Sequence, residues 1–197
     1  CRLLEFWFRI NKTSLRLSNQ AGVFTDILEG KETSPDVIRS RINGIGWIGT
    51  PEMQLAKIYF SEENLFNRIY LLRTIPSTFA GSYAFRYRDD LLLIINLTLY
   101  EKQHSAGALT RDLSVFAKRY HASIGLSYLF QDAQNLMNYY EQANIALQFG
   151  GKKPGKVYRC EDHAMVYLKS VIQKNLITDI AHTALDSLIK YDKQKGT

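Results

Sequence analysis

FRYRDDLLLIINL, residues 85–97, decides how the rest of the chain is read. GSYAFRY before its midpoint and LLLIINL after it read as two strands joined around Arg88 to Asp90, because a short polar stretch between apolar runs is turn chemistry. The second strand is apolar throughout, which predicts a position inside a sheet, covered on both faces.

Outward from this hairpin, the elements alternate. On the N-terminal side EMQLAKIYF reads as a strand ending in β-branched and aromatic residues. Ser61, Glu63 and Asn64 then open a helix with Leu65, Ile69, Leu72 and Ile75 on one face and Pro76 as its breaker. On the C-terminal side come a helix over about 106–119, a strand at ASIGLS, and a helix over 132–149. This last helix turns Leu136, Tyr139 or Tyr140, Ala143 and Leu147 inward and stops at Gly150 and Gly151. KVYRC reads as a final strand, and AMVYLKSVIQ and ALDSLIKY as helices. Ahead of all this, Leu3 to Leu28 carry apolar residues at three- and four-residue steps, the mark of one long helix ending at Gly30. Ser34 and Pro35 then cap and open a short helix that stops between Gly44 and Gly46.

The expected fold is therefore α+β: a ferredoxin-like split βαβ sheet with an added edge strand, preceded by a long N-terminal helix and followed by C-terminal helices. Three segments follow from it: linker and dimerisation helices at 1–50, the α/β domain at 51–162, and a C-terminal helical connector at 163–197.

Bulk properties narrow the function. At 197 residues, 46% hydrophobic and 22% charged, the chain can bury a real core and is not disordered in bulk. Cys1 and Cys160 cannot build a disulfide framework, which favours a reducing cytoplasm. No apolar run reaches the ~20 residues that span a bilayer, and no signal peptide is visible. The start at Cys1 within a helical pattern, and the end just after an apolar helix, suggest a piece of a longer protein. The net charge of +6 reads first as a basic solvated surface, with GGKKPGK its densest run and a weak footprint for direct DNA contact.

Several motifs together resemble the regulatory region of PucR/CdaR-type bacterial transcription regulators, from about Val23 to the end. VFTDILEGK with RINGIGW is similar to that family's entry helix and Gly-Trp turn. SIGLSYLFQDAQNLMNYYEQANIALQFG is similar to its strand, loop and Tyr-x-x-Ala-x-x-Ala-Leu helix. VYRCEDHAMVYLKSV resembles the segment after that helix, and ALDSLIKYDKQKGT the lead-in to a C-terminal helix-turn-helix. The family's domain is GGDEF-like, related in fold to diguanylate cyclases, so the opening stretch can be set against the cyclase hairpin RYGGDEF. Arg86 and Tyr87 match the leading pair. Arg88 and Asp89 replace the two glycines, Asp90 stands at the first acid, and Leu91 and Leu92 replace the second acid and the phenylalanine.

The resemblance thus implies a degenerate, non-catalytic frame. Glycines in such a turn admit a phosphate close to the backbone, and a two-metal site needs converging carboxylates. Tyr59 and Phe60 stand where cyclases supply another metal acid. The expectation is no enzyme, with no catalytic, cofactor or metal residues. The implied partners are a second copy of the chain, an unidentified small-molecule effector, and DNA only through a helix-turn-helix beyond Thr197. The alternative is a diguanylate-cyclase-like domain that binds or processes GTP. Elsewhere, His104, His121, His163 and His182 lack metal-ligand spacing, Cys160 beside Glu161, Asp162 and His163 lacks partners from other segments, and GGKKPGK lacks phosphate-loop spacing.

Overall fold

In a computed structural model, residues 22–60 and 67–174 are described. Most of the expected 3–28 helix, the Ser61–Asn64 helix start and His182 lie outside the described residues. Two compact units divide the chain, residues 1–162 and 163–197.

The first unit is mixed α+β. Helical residues 22–28 (α1) and Pro35–Gly44 (α2) lead to strand β1, Met53–Phe60. Helix α3 (Asn67–Thr78), strands β2 (Ser82–Tyr87) and β3 (Asp90–Asn96), the short α4 (Leu97–Tyr100), α5 (Ala108–Arg119) and β4 (Ala122–Leu126) follow. Helix α6 (Leu136–Gly150) and β5 (Lys156–Arg159) complete it. The sheet runs β2-β3-β1-β4-β5, antiparallel except for the parallel pair β4–β5. As its composition requires, β3 is flanked on both edges and buried on both faces.

Two details depart from the sequence reading. Pro76 does not break α3 but sits inside its last turns, where the ladder continues to the Phe79 amide on the Ile75 carbonyl. Ser34 precedes Pro35 at the helix start but its side chain caps nothing; instead its amide donates to Glu32 Oε1 at 3.1 Å. Proline at the first helical position already removes one of the amides that a cap would satisfy.

Each sheet face has its own core. On one, Ile58 and Phe60 of β1 and Leu91, Leu93 and Ile95 of β3 meet Leu71, Ile75 and Phe79 of the α3 region and Leu113 and Phe116 of α5. On the other, Met53, Leu55, Phe85, Leu92 and Ile94 meet α1, α2, Trp47, Phe130 and α6. The end of the predicted N-terminal stripe is spent here: Phe24 is fully buried, 5.5 Å from the Trp47 ring and 5.8 Å from Phe85. Residues 22–50 therefore share a core with the strands that follow. Helix α6 rides unusually close to the sheet at Gly125, where a Cβ would lie 2.1 Å from the Ala143 carbonyl oxygen.

In the second unit, residues 164–174 are helical (α7), with Met165, Leu168 and Ile172 exposed. No helix of the described residues is long and apolar enough to cross a membrane.

Candidate functional site

The candidate site is the hairpin tip. Tyr87 ends β2, Arg88 and Asp89 form a two-residue turn, and Asp90 opens β3 opposite Tyr87. Arg88 has φ +54°, the left-handed region where glycine is at ease and an L side chain is strained. Its guanidinium rests over the Tyr87 ring, 5.1 Å from the centroid.

Asp90 is not free at this tip. Strand alternation puts it on the α6 face with Lys57 of β1, whose Nζ lies 2.8 Å from Asp90 Oδ2. The register explains the meeting: Lys57 pairs with Leu92, so Asp90 is its diagonal neighbour. From above, the Tyr140 hydroxyl of α6 donates to the same Oδ2 at 2.6 Å. Lys57 Nζ also donates to Asn144 Oδ1 at 2.9 Å and lies 5.2 Å from the Tyr140 ring centroid. Tyr140 and Asn144 are four residues apart, on one face of α6. Burial, and then the Asp90 carboxylate, push the Tyr140 phenol well above its usual range, so it remains a donor. The side chains of Lys57 and Asp90 are only 11% and 24% exposed, so each charge depends on the other for its solvation.

The remaining expected positions fall apart as a site. Leu91 and Leu92 are buried on opposite faces of β3, one in each core. Phe60 is buried in the α3–α5 core, and Tyr59 has Lys152 Nζ 5.0 Å from its ring centroid. Glu63 of the expected helix start lies outside the described residues. Among the described residues, no three His, Cys, Asp or Glu side chains gather as they would around a metal ion. Cys160 is fully buried, and burial followed by the nearby Glu161 charge push its thiol up to about 11, the behaviour of a packing residue rather than a nucleophile. His104 stacks on Tyr100, ring centroids 4.2 Å apart.

Sequence reasoning found Asp90 and missed Lys57 and Asn144. The one signal available was the Tyr140/Asn144 spacing, which puts two polar groups beside the inward residues of an otherwise apolar helix face. What the arrangement does chemically is to bind the hairpin tip to α6 through a satisfied ion pair. Comparison with known proteins yields no matching family model and no matching curated protein.

Proposed function

We propose that this chain is the regulatory, signal-transmitting and dimerisation region of a PucR/CdaR-like transcriptional regulator working in the cytoplasm. It couples an upstream sensing region to a DNA-binding helix-turn-helix beyond Thr197. The observation that carries the reading is Asp90: the acid retained from the cyclase-like hairpin is clamped by Lys57 and Tyr140 instead of facing a ligand. The order β-α-β-β-α-β, with β1 and β3 adjacent and antiparallel, supports a ferredoxin-like, GGDEF-like frame. Phe24 and Leu28 pack in the domain's own core, which favours a dimer through the segment before residue 22 or the sheet flank. A small-molecule effector would act by favouring one dimer geometry, and so one spacing of the DNA-reading units.

A GTP-binding domain of the cyclase type is the second reading. It is favoured by the positive φ at Arg88, which keeps a glycine-like backbone where the cyclase hairpin has its first glycine.

A magnesium-dependent turnover assay with GTP separates the two. The regulator reading expects no product; steady turnover abolished by Asp90→Ala would replace it with the second. Light scattering is expected to give a dimer, and a monomer at high concentration would remove the dimerisation role.

A further inference from the structure

Three described residues other than glycine have positive φ: Arg88 (+54°), His121 (+49°) and Lys152 (+49°). All three are basic or imidazole side chains, and all three lie at the same end of the sheet. Arg88 is the β2–β3 tip, and His121 precedes Ala122, which pairs with the last residue of β1. Lys152 follows α6 and reaches the Tyr59 ring near the end of β1. Glycine would relieve each strain, so the sequence holds a cationic or protonatable group where the backbone favours none.

More positive charge stands around them. Lys118 and Arg119 end α5, and Lys118 Cγ lies 3.3 Å from where a Cβ on Gly155 would be. Lys153 and Lys156 flank that glycine, and Lys156 opens β5 opposite Ser123. The loop between them is pinned, not trailing: the Gly155 amide donates to the Ala122 carbonyl at 2.7 Å and the Lys153 amide to the Tyr158 hydroxyl at 3.0 Å. Lys118, Arg119, His121, Lys152, Lys153 and Lys156 are all exposed. None of these five Lys/Arg cations, nor Arg88, is in an ion pair among the described residues, where Lys31, Arg41, Lys57, Arg111 and Arg159 are. Arg88, Arg119 and Lys152 lie over tyrosine rings instead. Asp89 and the Lys57-paired Asp90 are described acids at the hairpin end of this rim, so among the described residues the excess positive charge is concentrated towards β4 and β5.

We infer that this rim binds the sugar-phosphate backbone of nucleic acid, without reading its sequence. Neighbouring strands are about 4.8 Å apart, so the row from Arg88 to Lys156 extends roughly 15–20 Å, the reach of a linear polyanion rather than of one phosphate. Protein interfaces are depleted in lysine at their cores, whereas four of the six central side chains here are lysine. Phosphate contacts by Lys and Arg fix position without specifying bases. The inference goes beyond the regulator reading and does not require it: the contact belongs to the body of this chain, not to a helix-turn-helix.

The test is fluorescence anisotropy of the 197-residue chain with labelled 20-base-pair duplexes of two unrelated sequences, over a series of salt concentrations. Equal binding of both duplexes is expected, with log K falling against log salt at a slope of about −3 to −5. Lys152→Gln with Lys153→Gln should make that slope shallower by about 2, and Lys118→Gln with Arg119→Gln by a similar amount. Lys102→Gln, which sits just after α4 at the other end of the sheet, should leave it unchanged. Lys152→Gly keeps the melting temperature at or above the parent's while still weakening binding. Binding that ignores these rim changes, or polyglutamate binding tighter than DNA at equal charge, would overturn the inference, the latter in favour of an acidic protein partner.

Discussion

The two faces of the sheet are built to different rules. Under α3 and α5 the face is apolar from Phe60 to Leu126 and is held chiefly by shape, with one polar contact, Tyr100 to Asp112, at its border. Under α6 a comparable apolar layer is interrupted by Lys57, Asp90, Tyr140 and Asn144, and elsewhere by Gln142, whose Oε1 accepts from the Tyr128 amide at 3.0 Å. Apolar packing tolerates small slips of a helix, whereas a buried ion pair with oriented donors holds only one arrangement. The α6 face therefore fixes the hairpin tip to a single helix position, the coupling that the proposed signal-transmitting role would need.

The contrast can be broken most severely at Gly125, where α6 sits on β4. Gly125→Ala places a Cβ 2.1 Å from the Ala143 carbonyl and 2.8 Å from Leu147 Cγ, and is expected to cost about 3 kcal/mol or more in urea unfolding. Ile124→Val, facing the other core from the same strand, should cost only about 1 kcal/mol. Equal losses would mean that the faces do not differ in how they hold their helices.

Next in size is Lys57→Met, which strands the Asp90 carboxylate. Because both side chains keep some solvent contact, the expected loss is about 2 kcal/mol rather than the larger figure for a fully dry pair. Adding Asp90→Leu should recover part of that loss.

A third test asks whether the apolar face has a polar lock of its own at its border. Tyr100, buried in that core, donates its hydroxyl to Asp112 Oδ2 at 2.5 Å. That bond leads the causes that hold the Asp112 carboxyl below its usual range, helped by the adjacent Arg111 and opposed by burial. A depressed folded value stabilises the protein above the unfolded carboxylate pKa of about 3.9, and that stability is lost as pH falls through the folded value. Tyr100→Phe should therefore cost about 1 kcal/mol at pH 7, with the difference from the parent closing below about pH 4. A pH-independent difference would assign the effect to packing. The smallest expected change is Arg88→Gly, which relieves a positive φ and should raise stability by up to about 0.5 kcal/mol, seen as a slightly higher unfolding midpoint.

How much of this could be read from sequence follows the range of the forces involved. The hairpin, the enclosed β3 and the inward residues Leu136, Ala143 and Leu147 of α6 were legible, because strand alternation and helical spacing are local signals. The reach of α3 past Pro76 was not, since tertiary burial of Ile75 and Phe79 outweighs a proline near the helix end. Nor was the clamp on Asp90. Lys57 reads as any strand lysine, and its meeting with groups 33 and 87 residues away depends on register and on how closely α6 approaches Gly125. Trp47, legible as part of a Gly-Trp turn, gave no hint that Phe24 and Tyr83 would pack on its ring.

The central claim is that Asp90 is a structural clamp and not a ligand for ion or nucleotide. A double-mutant cycle with Lys57→Met and Asp90→Asn, followed by chemical denaturation with and without millimolar magnesium and GTP, tests it most directly. The account predicts a coupling of at least about 1 kcal/mol between the two positions and the same unfolding midpoint whether or not magnesium and GTP are present. Independent, additive losses, or a stabilisation by magnesium and GTP that vanishes with Asp90→Asn, would contradict it.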